Sequence, residues 1–211
     1  MRWPDESAIP GFREFITKYF STCERISIEL MEALEIGLSI APGTFTGKFT
    51  RTASELRLNH YPEIAVSEMK SGRTRRIWPH TDFGIITLLF RDDEGGLELE
   101  DRTAPGTFFP VVREAPNEMI VNIGATLQRW TNGVLHAGLH QVTIPHDMKE
   151  TSQEDAVLPG RYSVAYLFKA ERKASAGPLA PFVTTERPAI YDDITALEFQ
   201  KLRTRDLYRE T

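Results

Sequence analysis

Two residues with metal-binding side chains, His80 and Asp82, stand two positions apart in this sequence. Side chains on an extended backbone alternate between two faces, so this spacing predicts that both point the same way. An apolar run over residues 85–90, rich in β-branched and aromatic types, predicts a strand to hold the pair. Together they supply two ligands of a 2-His-1-carboxylate metal site, the kind that holds non-haem Fe(II). The alternative is a turn in which Asp82 accepts a backbone hydrogen bond.

The chain has five histidines, which are His60, His80, His136, His140 and His146, and a third ligand must come from the four other than His80. His136 and His140 are both candidates because they share one segment after the Asn132-Gly133 turn. His140 lies in a stretch of alternating apolar and polar residues that predicts a strand, whereas His136 is close to the turn. We therefore favour His140, and we interpret His60 and His146 as structural or surface residues.

A second chemical feature is the Arg-x-Ser motif formed by Arg161 and Ser163 within a predicted strand over residues 161–168. The period of two places both side chains on one face. A guanidinium beside a hydroxyl is a good receptor for a carboxylate, through charge-assisted hydrogen bonds. The alternative is a surface arginine at the edge of a sheet.

Two further groups of side chains allow either of two interpretations. Residues 69–76 form a basic loop, either solvated or placed to attract an anionic substrate; its cations are Lys70, Arg73, Arg75 and Arg76. Five apolar side chains near the motifs belong either to the core, which we favour, or to a substrate cavity: Trp78, Phe83, Leu88, Trp130 and Phe168.

The composition is that of a globular protein. The 211 residues are 41% hydrophobic and 26% charged, and one domain of this length can bury a sizeable core. A net charge of -5 argues against nucleic acid as a partner. The single cysteine, Cys23, excludes an internal disulfide, and neither a signal peptide nor a membrane span is visible. We expect a cytoplasmic location and leave the oligomeric state open.

The pattern of elements predicts a mainly β fold with flanking α-helices. Apolar residues recur at helical spacing over residues 10–38, a second short helix is expected over 42–49, and a third over 194–209. Short strands are expected near 56–62, 85–90, 97–100, 108–112, 119–123, 139–144 and 161–168, with 97–100 as a return strand after the turn at 92–96. Such spacing is typical of an antiparallel sandwich or barrel. We expect one domain over residues 1–211, with a helical flank at 1–50, the β core at 51–185 and a C-terminal helix at 186–211.

The ordered motifs H-x-D, N-G-x6-H-x-V and R-x-S resemble those of the iron(II)- and 2-oxoglutarate-dependent dioxygenases of the isopenicillin-N-synthase-like type. Residues 56–62 resemble the strand that precedes the metal motif in this family, and residues 121–124 resemble its N-I-G turn. The resemblance extends over nearly the whole chain.

The resemblance implies a double-stranded β-helix, or jelly roll, with iron inside its mouth. It implies that Fe(II) is bound by His80, Asp82 and His140. The distal carboxylate of 2-oxoglutarate would be bound by Arg161 and Ser163, with further co-substrate contacts from Tyr61 and Asn59. Oxidative decarboxylation of 2-oxoglutarate by O2, giving succinate and CO2, would drive oxidation of a small organic molecule by hydroxylation, desaturation or cyclisation. Secondary metabolism is the expected setting.

The sequence departs from the family pattern in three ways that bear on the function implied by the resemblance. Gln141 replaces the usual arginine after the distal histidine, and Ala125 replaces the acidic residue common after N-I-G. The chain also begins at what resembles the long central helix of the family, so we expect an N-terminal segment of the family to be lacking. The alternatives are an iron oxidase that uses no 2-oxoglutarate, and a truncated jelly-roll binding protein without catalytic activity.

Overall fold

A computed structural model describes residues 3–49, 51–149 and 156–207 of the chain. The α-helices there are α1 (Phe12–Gly37), α2 (Val66–Lys70), α3 (Ala125–Trp130) and α4 (Ala196–Leu207). The strands are β1 (Glu55–Tyr61), β2 (Ile64–Ala65), β3 (Ile77–His80), β4 (Ile86–Arg91), β5 (Leu97–Glu100), β6 (Phe108–Pro110), β7 (Ile120–Ile123), β8 (His140–Val142), β9 (Val157–Leu158) and β10 (Arg161–Phe168). Short 3₁₀ turns lie at Thr46–Lys48, His146–Met148 and Ala180–Phe182.

Two antiparallel four-stranded sheets form the centre of the fold. The first sheet has the order β1-β10-β4-β7 and the second sheet has the order β3-β8-β5-β6. Strands β2 and β9 form a small separate ladder. Because the chain passes between the two sheets as it proceeds, strands far apart in sequence become neighbours, as in a jelly roll. The predicted double-stranded β-helix with flanking helices is confirmed.

Strand β10 contributes to the face of the first sheet that lines the cavity between the sheets. Its side chains alternate, and those that line the cavity between the sheets are Arg161, Ser163, Ala165 and Leu167. The intervening side chains of Tyr166 and Phe168 point the other way and are fully buried. The outer face of this strand is therefore covered over its second half, whereas its inner face lines the cavity.

Helix α1 covers the outer face of the first sheet. Its fully buried positions recur every four residues, at Cys23, Ser27, Met31 and Glu35, as expected for one face of a helix. Phe20 meets Tyr166 edge to face, with ring centroids 5.0 Å apart. This packing fixes the sheet from outside and leaves its inner face for the site.

The C-terminal helix α4 lies beside the segment that follows β3. Phe199 is buried in a small cluster with Ala125 and Ala176. Arg203 donates a hydrogen bond to the Thr81 hydroxyl at 3.0 Å. The expected helix over 194–209 is thus present as Ala196–Leu207, and its last two residues lie outside the described part of the chain.

Several details of the sequence prediction were wrong. Strand β5 does not return beside β4 but pairs with β6 and β8 in the second sheet. The helix expected over 42–49 is a turn followed by the 3₁₀ turn Thr46–Lys48. Helices α2 and α3 were not predicted, since each spans less than two turns and offers too short a pattern to detect. The expected domain bounds stay a prediction.

None of the described helices is long and apolar enough to cross a bilayer.

A buried carboxylate joins the end of α1 to the loop that follows. Glu35 is 3% exposed and accepts backbone hydrogen bonds from Gly43 at 3.0 Å, Phe45 at 2.6 Å and Thr46 at 2.9 Å. Burial acts to raise the pKa of Glu35, but these hydrogen bonds outweigh it and hold the pKa below its ordinary value.

We predict that Glu35→Gln lowers the free energy of unfolding by roughly 1–3 kcal/mol at pH 7, because the charged acceptor is lost. The native pKa of Glu35 is depressed, so its contribution is fully present above the unfolded pKa of about 4.5 and is lost as pH falls through the native pKa. Urea unfolding followed by circular dichroism at pH 7 and pH 4 should show the deficit shrinking at the lower pH. Glu32→Gln, at an exposed position of the same helix, is the control. A deficit that is equal at both pH values would contradict this assignment.

Candidate active site

The side chains of His80, Asp82 and His140 converge inside the jelly roll. One ligand atom from each lies within 4.8 Å of the other two. His80 Nε2 is 3.8 Å from Asp82 Oδ1, and the two imidazole centroids are 4.3 Å apart. Two imidazoles and one carboxylate at this spacing can share one metal ion.

The pairing of β3 with β8 creates this cluster. His80 lies directly opposite His140, and Ile77 lies opposite Val142, with a register shift between the two pairs. The expectation that His80 and Asp82 share one strand was wrong, because β3 ends at His80 and Asp82 follows it in an irregular segment. The chain turns there, and the carboxylate still reaches the imidazoles.

Hydrogen bonds orient all three side chains. The Nδ1 atom of His80 lies 2.9 Å from the Trp78 carbonyl oxygen, and that of His140 lies 3.0 Å from the Gly138 carbonyl oxygen. A carbonyl oxygen can only accept, so each Nδ1 carries a proton, and in a neutral ring the lone pair is then on Nε2. Such contacts to the second ring nitrogen are the usual way in which metal-binding histidines are oriented.

An amide holds the carboxylate in the same way. Asn122 Nδ2 donates to Asp82 Oδ2 at 3.0 Å, which leaves Oδ1 on the side of the histidines. Asn122 extends from β7 of the first sheet, so this contact joins the two sheets at the site. Gly138 leaves room for the amide, since a Cβ at that position would lie 2.6 Å from Asn122 Oδ1.

The electrostatic environment favours a neutral His80. Burial lowers the pKa of His80, and the nearby His140 lowers the pKa further. The hydrogen bond to Trp78 and the charge of Asp82 oppose this shift without reversing it. A neutral imidazole is the form that binds metal ions.

A buried cation stands on the opposite sheet. Arg161 is 1% exposed, and its Nε and Nη2 atoms have no hydrogen-bond partner within the described ranges. Its guanidinium carbon lies 5.3 Å from the centroid of the Tyr61 ring, and its Nε is 4.0 Å from Asp92 Oδ1. Burial lowers the pKa of Arg161, opposed by Tyr61 and Asp92. Buried donors without acceptors are costly, so this arrangement is suited to receive an anion.

The other predicted residues of this region lie beside Arg161. In the ladder between β1 and β10, Tyr61 is opposite Arg161 and Asn59 is opposite Ser163. Asn59 Nδ2 donates to Ser163 Oγ at 3.2 Å. Two cross-strand pairs therefore place all four side chains on one part of the inner face, which we call the anion patch.

One cavity of about 260 Å³ connects the histidine–aspartate cluster with the anion patch. Its lining includes all seven residues singled out from the sequence: Asn59, Tyr61, His80, Asp82, His140, Arg161 and Ser163. Between these groups its walls are mainly aliphatic, with Leu89, Leu97 and Leu99 among them. The cavity can thus hold a metal ion at one place and a carboxylate at another, with a carbon chain between.

The remaining sequence candidates lie elsewhere. His60, His136 and His146 are exposed and do not join the cluster. Leu88, Trp130 and Phe168 are fully buried core residues, as favoured, whereas the same expectation was wrong for Trp78, which is 52% exposed. In the basic loop, Lys70 and Arg73 are exposed, whereas Arg75 and Arg76 fold inward and bond to Gln141 and to the Pro159 carbonyl.

Three cavity residues were missed from the sequence. Asn122 orients Asp82, Thr87 has a buried hydroxyl without a partner among the described residues, and Arg57 lines the cavity. The available signal was a polar residue within a strand: Asn122 is flanked by valine and isoleucine, and Arg57 shares the alternation of Asn59. The pattern gives the face of such a residue but not its partner.

We predict that Asn122→Ala raises the Kd for Co(II), used as a metal probe, by about tenfold, because Asp82 loses the contact that orients it. Equilibrium dialysis of the metal-free protein measures this Kd. Asn117→Ala, at an exposed turn, should bind as the wild type does. An unchanged Kd in Asn122→Ala would show that the amide does not support the cluster.

Comparison with protein-family models and curated proteins gives close relatives. Residues 53–170 match the 2OG-Fe(II) oxygenase superfamily. The chain is 55% identical over 207 residues to the 2-oxoglutarate-dependent dioxygenase imqE of Aspergillus flavus, covering 98% of this chain and 56% of the relative. It is 49% identical over 207 residues to the 2-oxoglutarate-dependent dioxygenase ecdK of Aspergillus rugulosus, covering 98% of this chain and 62% of the relative. The chain therefore spans less than two thirds of the length of either relative.

Solved structures agree with these matches. A full-length protein of Neurospora crassa, crystallised in complex with alpha-KG and thymine, superposes with a TM-score of 0.83 at 31% identity, over 96% of this chain and 60% of that one. The family match over more than half of the residues includes both β1 and β10, the strands that carry the anion patch. The chain belongs to the 2OG-Fe(II) oxygenase superfamily.

Proposed function

We propose that this chain carries the catalytic centre of an Fe(II)- and 2-oxoglutarate-dependent oxygenase that oxidises a small organic molecule. The observation that supports this most is the single cavity that contains both a His-Asp-His cluster and a buried arginine, two of whose donor atoms have no hydrogen-bond partner in the described part of the chain. A metal site alone would fit many proteins. The carboxylate receptor in the same cavity favours a co-substrate that has one group for the metal and another for the arginine.

In this proposal His80, Asp82 and His140 hold Fe(II) through two Nε2 atoms and one carboxylate oxygen. Three protein ligands leave positions free for the co-substrate and O2. Fe(II) held by these residues, together with 2-oxoglutarate, would supply the oxidising chemistry, in which 2-oxoglutarate and O2 are consumed and succinate and CO2 are formed as the substrate is oxidised. The protein's part is to position these molecules and to exclude water.

Arg161 and Ser163 bind the distal carboxylate of 2-oxoglutarate. The Nε and Nη2 atoms of Arg161 have no hydrogen-bond partner among the described residues and can donate to the carboxylate. Ser163 Oγ already accepts from Asn59, which leaves its own proton to donate. Tyr61 packs against the guanidinium and fixes its position. The aliphatic walls keep water away from the centre between these groups.

The names of the relatives support an outline of the substrate class. Similar proteins include dioxygenases of Aspergillus and Penicillium species and, at 38% identity, the proline hydroxylase buaE of Petromyces alliaceus. We infer a fungal-type secondary metabolite or its precursor as substrate, oxidised by hydroxylation, desaturation or cyclisation in the cytoplasm. Arg57 lines the cavity, is exposed and pairs with Glu55 at 3.0 Å, so an anionic group of that substrate would meet it in place of or beside this carboxylate.

The experiment that tests this proposal measures succinate from 2-oxoglutarate with Fe(II)-loaded protein, in air and under nitrogen, with a panel of amino acids and small peptides. We expect succinate that requires O2 and rises with a true substrate. Substrate oxidation without succinate would indicate an oxidase independent of 2-oxoglutarate. Metal binding with no reaction under any condition would indicate a binding protein, and either result would contradict the proposal.

We predict that Arg161→Gln weakens 2-oxoglutarate binding by roughly 10- to 100-fold, the loss expected for hydrogen bonds to a charged group. Isothermal titration calorimetry of the Mn(II)-loaded protein under nitrogen measures this affinity. Metal affinity should stay within about twofold of the wild type, since Arg161 lies on the other sheet. Arg102→Gln, at an exposed turn, is the matched control. Equal 2-oxoglutarate affinity in wild type and Arg161→Gln would refute the role of Arg161.

A further inference from the structure

A hydrogen-bonded series of polar side chains lies on the outer face of the second sheet, opposite the face that carries His140. Glu98 and Gln141 are neighbours across β5 and β8, and both side chains are buried, at 2% and 6% exposure. Gln141 Nε2 donates to Glu98 Oε2 at 2.9 Å, and Lys149 donates to the other oxygen of Glu98. Arg75 Nη1 donates to Gln141 Oε1 at 2.5 Å.

The groups on either side of Gln141 determine the orientation of its side-chain amide. A guanidinium has only donors and a carboxylate only acceptors, so the Gln141 amide has a single orientation between them. The four side chains come from four separate segments: the lead-in to β3, strand β8, strand β5 and the turn after β8. The family resemblance predicts an arginine at position 141. Here the cation comes instead from Arg75, with glutamine as the link.

Arg75 has a second contact that leads to the metal site. Its guanidinium carbon lies 4.9 Å from the centroid of the Trp78 ring. The carbonyl oxygen of Trp78 is the acceptor for His80 Nδ1. Arg75 therefore contacts the residue whose backbone orients His80, and it also contacts Gln141, the immediate neighbour of His140.

The backbone between these contacts is irregular. The register pairs Ile77 with Val142 and His80 with His140, so three steps along β3 match two along β8. Between these pairs, Trp78 and Pro79 of β3 stand against the single residue Gln141 of β8, which is the pattern of a β-bulge. Proline also has no N–H to donate to the ladder. Both residues are exposed, so core packing does not hold them. A bulge of this kind needs another contact to keep one conformation.

We propose that Arg75 is a positioning residue for the metal centre: it braces the β3 bulge against β8 and thereby sets His80 opposite His140. The bond to Gln141 fixes one end of the bulge, and the stacking on Trp78 fixes the carbonyl group that orients His80. Glu98 holds Gln141 in turn, and Lys149 holds Glu98. This inference rests on the proposed metal-binding role of His80 and His140 but not on 2-oxoglutarate or turnover.

The test compares Arg75→Met, Arg75→Lys and wild type by Co(II) titration, since the visible spectrum of bound Co(II) reports ligand geometry directly. Methionine keeps much of the length of the side chain but loses its donors. We expect the Kd for Co(II) to rise about tenfold in Arg75→Met, with a weakened or shifted band at saturation. Arg75→Lys keeps the charge and one donor and should recover part of the loss, with a Kd roughly threefold above wild type.

Arg73→Met is the control, because Arg73 belongs to the same loop, is exposed and bonds locally to Ser71. It should match wild type in both Kd and spectrum. Urea unfolding of each variant separates stability from positioning. An Arg75→Met protein that is less stable yet binds Co(II) with the wild-type Kd and spectrum would overturn the proposal.

Should Arg75→Met fail to fold, Arg75→Lys carries the test, and a wild-type Kd and spectrum in that variant would overturn the positioning role.

Two further outcomes keep this proposal distinct from the proposed function. Wild-type protein that binds no Co(II) at all would refute the metal centre itself. Wild-type binding with no effect of either substitution at Arg75 would refute only the positioning role.

Discussion

The pairing of His80 with His140 across β3 and β8 is the constraint on which the site depends. Neither histidine is near the other in sequence, and only the antiparallel register of these strands brings their ring centroids to 4.3 Å from each other. The strand ends at His80, which frees the next residues to turn and return Asp82 to the same place. A slip of one residue in this ladder would turn His140 to the outer face, where Gln141 now lies.

The second constraint is the cost of keeping polar groups inside a barrel. Arg161 and Thr87 are buried with donors that lack partners among the described residues, which is unfavourable unless a ligand supplies acceptors. The structure limits this cost through Tyr61 and Asp92, which stand beside the guanidinium. Strands of two different sheets carry the two histidines of the cluster and the anion patch. The distance between them is therefore set by the packing of the jelly roll and not by mobile loops.

Local patterns were enough to predict much of this arrangement. The strand at Arg161–Phe168 and the long helix at Phe12–Gly37 were found nearly to the residue, because each depends on its own periodicity. The seven site residues were also singled out from the sequence, through motif order and resemblance. Pairing could not be predicted so well: Leu97 starts a strand of the opposite sheet, since its partner at Val142 is far away in sequence. Contacts such as Asn122 with Asp82, or Arg75 with Gln141, depend on this same long-range pairing.

The most direct test of the central claim is anaerobic addition of 2-oxoglutarate to Fe(II)-loaded protein, with the visible charge-transfer band of the iron chelate as the signal. We predict a band in wild type and its loss in Asp82→Ala, because one ligand of the iron has been removed while the strands that carry both histidines remain. Iron bound by the wild type without a band, or a band of equal intensity in Asp82→Ala, would contradict a common site for the metal and 2-oxoglutarate in this cavity.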